Sequence, residues 1–122
     1  MKITSKLLEE KDACYPAIKE FNELNLEGID VYDLIEILHD RKDHKNYSEW
    51  LFEELKLTGE CIGYYDNGEV MYIRNYKNGK LHGECVGYYD NGKVWYIYNY
   101  KHGKRHGEFI YYYKNSVLVW EE

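Results

Sequence analysis

Apolar residues are spaced in two different ways along this chain. Up to about residue 56 they recur at helical intervals, and from residue 59 they alternate with polar ones. Ser5 is placed to cap a short helix over residues 6–11. Pro16 suits the first turn of a second helix ending near Gly28, where its missing N–H costs nothing. Ala17, Ile18, Phe21 and Leu24 give that helix an apolar stripe. Asp30 is placed to cap a third helix facing inward through Tyr32 or Leu34, Ile35 and Leu38. Asn46 and Glu49 have capping-box spacing ahead of Trp50, Leu51 and Leu55, a fourth helix. The run DRKDHK between the last two reads as a solvated connector. Helices this short draw their stability from packing, so they need a surface to lie on.

The alternating region supplies one. GECIGYYDNG begins at Gly59 and GECVGYYDNG at Gly83, so the period is 83 − 59 = 24 residues, and a frayed third copy, GEFIYYYKNS, starts at Gly107. A fixed period of this length points to stacked supersecondary units. Each unit carries two tight-turn signals: Asn67-Gly68 and Asn78-Gly79, then Asn91-Gly92 and His102-Gly103. Asn-Gly between strand-like runs predicts a type I′ hairpin turn. The reading is α+β, with N-terminal helices over 1–56 packed on one face of a six-stranded antiparallel β-meander over 57–122. The strands fall at 59–65, 69–76, 81–89, 93–100, 105–113 and 117–120.

The turns also set the register. Two-residue turns place Gly59 opposite Tyr76, Gly63 opposite Tyr72 and Tyr65 opposite Val70, and on the next strand Tyr76 opposite Leu81 and Tyr72 opposite Cys85. One face (A) then collects aliphatic residues such as Ile62, Ile73, Val86 and Ile97. The other (B) collects a row of tyrosines, among them Tyr72, Tyr76, Tyr96, Tyr98, Tyr100 and Tyr111. A tyrosine ring over a cross-strand glycine shields bare backbone, which gives the Gly–Tyr repetition a physical purpose. Two arrangements are open: the helices cover B and its tyrosines are core, or they cover A and leave B as a broad aromatic binding face.

Charge and composition narrow the function. The net charge is −6, carried by residues 1–55 with 14 acidic and 7 basic side chains; 12 of the 15 tyrosines follow residue 55. No basic stripe offers itself to a phosphate backbone, so direct nucleic-acid binding is not expected, and a basic surface on another protein is accommodated. Neither a signal peptide nor a membrane-spanning run is present in the sequence, and three cysteines at no metal spacing suit a reducing cytoplasm. Cys61 and Cys85 fall on strands separated by a third, too far apart for a disulfide. His102 and His106 flank a turn rather than sharing a helix face, so no metal is expected. Ser5, Ser48 and Ser116 sit in cap or turn contexts, without a nucleophile elbow or a phosphate-cradling loop. No catalytic residue and no cofactor is expected.

The pattern GE-x-x-G-Y-Y-D-N-G…Y-x-N-Y-K-x-G-K-x-H-G resembles the MORN-repeat-variant family of YwqK-like antitoxin repeats. The resemblance rests on Gly59, Tyr65, Asn67, Gly68, Tyr76, Gly79, Lys80 and His82-Gly83 and on their copies Gly83, Tyr89, Asn91, Gly92, Tyr100, Gly103, Lys104 and His106-Gly107. The sequence departs from it at Cys61 and Cys85, where an aromatic is expected, and at Ser116, where the last turn loses its glycine. The front segment, through Asp12-Ala13-Cys14, Phe21 and Trp50-Leu51, looks faintly like small phage and bacterial immunity-type modules. The resemblance implies a binding module: a non-catalytic protein that neutralises a partner such as a toxin, a nuclease or a defence-system component. Tyr72, Tyr76, Tyr96, Tyr98, Tyr100 and Tyr111 are its candidate contacts. A self-assembling scaffold, pairing as a homodimer through the edges Gly59–Tyr65 or Val117–Trp120, is the alternative. A membrane-surface lipid binder ranks below it, since the repeat region is barely basic.

Overall fold

A computed structural model describes residues 1–115 and 118–121. The chain gathers into two compact units, Met1–Arg41 and Lys42–Glu122. The sequence suggested a division at 56/57; the fourth helix instead groups with the sheet, because it packs on the first strands of the repeat region.

In the first unit, Lys2–Ile3 (β1) pairs antiparallel with Ile29–Asp30 (β2), around helices Ser5–Glu10 (α1), Tyr15–Glu23 (α2) and Val31–Asp40 (α3). The strand pair went unforeseen because two residues are too few to show alternation. Thr4, rather than Ser5, caps α1: its hydroxyl accepts from the Leu7 N–H at 3.0 Å, while the Ser5 N–H turns to the Glu27 carboxylate. Asp30 caps α3 as expected, accepting from the Tyr32 N–H at 3.0 Å. Pro16 does sit in the first turn of α2, but that helix stops at Glu23, and the Leu26 N–H bonds back to the Phe21 carbonyl. Ile3, Leu8, Phe21, Val31, Leu34 and Ile35 form the buried centre of this unit.

The second unit opens with Tyr47–Glu54 (α4). Asn46 does not cap it, having a left-handed φ of 62° and no side-chain capping bond; its Oδ1 accepts instead from the Tyr72 hydroxyl at 3.5 Å. Asp43 does, taking the Tyr47 N–H at 2.9 Å and the Lys45 N–H at 3.0 Å. The strands are Gly59–Tyr64 (β3), Val70–Lys77 (β4), Lys80–Leu81 (β5), Gly83–Tyr88 (β6), Val94–Lys101 (β7), Lys104–Tyr112 (β8) and Leu118–Glu121 (β9). They form an antiparallel meander in the order β3-β4-β6-β7-β8-β9, with β5 paired to β4.

One predicted strand is split in two at His82. The His82 N–H bonds the Asn75 carbonyl at 2.8 Å, and the Asn75 amide bonds the Glu84 carbonyl at 2.7 Å. Tyr76 still faces Leu81, but beyond the irregularity Tyr72 faces Gly87 rather than Cys85. A shift of two residues keeps the side chains of this strand pair on the faces assigned to them.

The four turns are of two kinds. Asn78-Gly79 and His102-Gly103 have φ values of 51°, 80° and 51°, 82°, the type I′ geometry expected. At Asn67-Gly68 only the glycine is positive, at 87°. There the Gly68 N–H reaches the Tyr65 carbonyl and the Tyr65 N–H the Glu69 carbonyl, a three-residue loop closed by a bulge. Asn91-Gly92 does the same through Tyr89 and Lys93. The bulge draws Tyr64, not Tyr65, opposite Val70.

Candidate functional site

Face B is built from the pairings Cys61 with Arg74, Gly63 with Tyr72, and Gly59 with Tyr76, one repeat before Cys85 with Tyr98, Gly87 with Tyr96, and Gly83 with Tyr100. Gly63 and Gly87 are required by close approach. A Cβ at either would fall inside the ring of Tyr72 or Tyr96.

Helix α4 lies over the first of these sets. Phe52 stacks on Tyr76 with ring centroids 5.2 Å apart and an interplanar angle of 26°. The Tyr76 hydroxyl donates to Glu53 Oε2 at 2.8 Å, and the Tyr72 hydroxyl donates to Glu49 Oε2 at 3.0 Å. Arg74 Nη1 bonds Glu49 Oε1 at 2.6 Å, and its guanidinium sits 3.8 Å from the Tyr72 ring centroid. Ser48, itself buried, meets the Cys61 thiol at 3.7 Å. A half-buried guanidinium shared between a carboxylate and an aromatic face is geometrically restrictive, because the planar fork fits one bidentate partner and one ring at a time.

The protonation of this cluster follows its burial. Burial pushes the Cys61 thiol up to about 11 and raises Tyr72 and Tyr76 above the usual phenol range, with Glu53 adding to the rise at Tyr76. Burial alone would lower Arg74, but the Glu49 carboxylate holds it above its ordinary value.

The candidate tyrosines therefore divide. Tyr72 and Tyr76 are 3% and 4% exposed and held by α4, so they are core and do not belong to an accessible face. Tyr96, Tyr98, Tyr100 and Tyr111 lie past the helix and are each partly exposed. Tyr96 and Tyr98 stack at 4.8 Å, and Tyr98 meets Phe109 and Tyr111 edge-on, both at 5.6 Å. Trp95, 41% exposed, stacks on Tyr89 at 5.2 Å and meets Tyr96 at 5.4 Å. The exposed Arg105 places its guanidinium 3.9 Å from the Phe109 centroid and 4.7 Å from that of Tyr98. Sequence reasoning missed Glu49, Glu53, Arg74, Arg105 and Phe109. A signal was present for Arg74, since Arg74/Tyr98 is one of six positions at which the two repeats differ.

The turn asparagines join repeats as well as forming turns. The Asn67 amide donates to the Asp90 carbonyl and the Asn91 amide to the Lys114 carbonyl, both at 3.2 Å. The Gly79 N–H donates to the Leu57 carbonyl and the Gly103 N–H to the Leu81 carbonyl, both at 2.9 Å. His82 joins this set, accepting the His102 N–H at Nδ1 with the two rings 5.1 Å apart. Among the described residues no three His, Cys, Asp or Glu side chains cluster as a metal site would need. Among them, too, no helix is long and apolar enough to cross a membrane.

Comparison with curated proteins and with solved structures gives no match. The family model for the MORN repeat variant matches residues 57–78 and 81–102, the two stretches that contain the hairpins β3-β4 and β6-β7.

Proposed function

We propose that this chain is a non-catalytic module that binds a partner protein through the open part of face B and inhibits it by occupying it. An antitoxin, an immunity protein or a phage anti-defence inhibitor would act in this way. MORN repeats are in general modules that bind proteins or membranes, which supports the coarser half of the reading. The observation that carries it is the contiguous aromatic cluster of Tyr96, Tyr98, Phe109 and Tyr111, partly exposed on the sheet beside α4. Tyrosine gives large contact area at low conformational cost and tolerates partial hydration, which is why protein interfaces are rich in it. The three free cysteines fit a reducing compartment, and we place the protein's work in the cytoplasm.

The test is affinity capture from cells that express the chain, comparing wild type with a Tyr98→Ser/Tyr111→Ser double variant. These positions are preferred to Tyr96, whose ring seals Gly87. The expected result is a specific partner that is lost with the variant and whose activity falls when the wild-type chain is added. A variant with native circular dichroism that still captures the same partner rejects this face as the binding surface.

A further inference from the structure

Because the sheet is a repeat, the seat that α4 occupies on the first unit recurs on the second. Adding 24 to Cys61, Tyr72, Arg74 and Tyr76 gives Cys85, Tyr96, Tyr98 and Tyr100, on the same face and in the same pairings. One element of the first seat changes. At the position of Arg74 the second repeat has Tyr98, which has no charge to offer a carboxylate. The Tyr98 ring stacks on Tyr96 where Arg74 lies over Tyr72, and a cation comes in from the next strand: Arg105 lies over the Tyr98 and Phe109 rings. Among the described residues the Arg105 guanidinium meets these rings and no carboxylate, whereas Arg74 is paired with Glu49. Among the described residues the second seat thus has an aromatic floor with a cation beside it, and no helix packs on it as α4 packs on the first.

The spacing admits one. The midlines of β3-β4 and β6-β7 are two strand spacings apart, roughly 9.5 Å. Packed helices lie about 8–10 Å apart, so a helix in the second seat meets α4 at ordinary packing distance. Two strands of sheet twist rotate the second seat by about 40–50° relative to the first, near the commonest helix-crossing angle.

We propose that the partner enters this seat as an acidic amphipathic helix resembling α4. It presents a carboxylate to Arg105 and, four residues later by analogy with Glu49 and Glu53, a second one to the Tyr100 hydroxyl. An aromatic residue directly before the second carboxylate stacks on Tyr100 as Phe52 stacks on Tyr76. This rests on the protein-binding reading of face B and adds the chemistry of the partner.

The probe is a fluorescein-labelled peptide of residues 43–58, held helical by a lactam outside the contacting face and titrated by anisotropy into the full chain. Saturable binding is expected, weakened about tenfold or more by Arg105→Glu. Tyr98→Ser in the protein, or Phe52→Ala in the peptide, should weaken it comparably, while Lys93→Glu, exposed at the opposite end of the β6-β7 hairpin, should not. Replacing both Glu49 and Glu53 of the peptide by Lys should abolish binding to the wild type. Absence of saturable binding at millimolar peptide overturns the proposal, as does binding indifferent to both Arg105→Glu and Tyr98→Ser. Tighter binding of the lysine peptide overturns it too. Peptide failure combined with partner capture still lost in Tyr98→Ser/Tyr111→Ser sinks the acidic helix and leaves the binding face standing. Retained capture by that variant sinks the face itself.

Discussion

The hydroxyl of Tyr65 donates a 2.6 Å hydrogen bond to the backbone carbonyl of Tyr88, one repeat further on. Tyr89 makes the same bond to Tyr112. The second tyrosine of each YYDNG run is therefore a clasp between units, and its hydroxyl matters more than its ring edge. Tyr65→Phe keeps the ring and deletes the bond, so we expect a loss of about 1 kcal/mol. Urea unfolding followed by tyrosine fluorescence should show a lower midpoint for Tyr65→Phe. An unchanged midpoint would mean that the bond contributes nothing net.

Gly63→Ala and Gly87→Ala each push a methyl group into a tyrosine ring. Overpacking of this kind costs about 1–3 kcal/mol. Because the conflict at residue 87 is with one named ring, shortening that ring should relieve it. The double variant Gly87→Ala/Tyr96→Ala is expected to be less destabilised than the two single changes added together. Strict additivity in thermal melts would show that the ring is not the obstacle.

Cys61 and Cys85 are buried, and burial raises both thiols above their usual range, whereas Cys14 is exposed. Native protein treated with iodoacetamide at pH 8 should take up one label, at Cys14, and three after denaturation. Peptide mass spectrometry reads the positions directly. Rapid labelling of Cys61 in the native state would contradict the placement of α4.

Tyr72 and Tyr76 both have raised values in the folded chain against an ordinary value of 10.0, so folding holds their protons. The unfolded chain releases them first. Stability is therefore fully present below pH about 10 and falls as pH rises toward the folded values, by up to about 1.4 kcal/mol per pH unit for each group. Unfolding midpoints at pH 8 and pH 11 should differ, and Tyr72→Phe should flatten the dependence. A slope identical to wild type would place the alkaline sensitivity elsewhere.

Much of the sheet was legible in the sequence because its signals are local. Asn78-Gly79 specifies its own turn, and alternation across Val70–Lys77 specifies a strand without reference to anything distant. The misread turns were also locally specified: Asp66 ahead of Asn67-Gly68 belongs to a three-residue loop, and Lys77 ahead of Asn78-Gly79 to a two-residue one. The side taken by α4 was not legible, since both faces are apolar and either would bury a helix. It is decided by side chains some 25 residues apart in sequence, Glu49 with Arg74 and Glu53 with Tyr76, that nothing in their own neighbourhoods pairs. The same distance hid the open seat. Tyr98 alone looks like one more row tyrosine until Arg74 is seen beneath a helix and Arg105 is seen over the Tyr98 ring.

The clasps between units have a consequence for how such a chain changes length. Tyr65 reaches residue 88 and Tyr89 reaches residue 112, Asn67 reaches 90 and Asn91 reaches 114, so each junction is sealed by the same donors at the same offset. Excising or duplicating a 24-residue segment preserves the spacing of the seals, while an increment that is not a multiple of 24 breaks those of the junction it falls in. The protein's size is thus quantised. Unequal recombination in whole units leaves the architecture intact and changes only how many helix seats the surface displays.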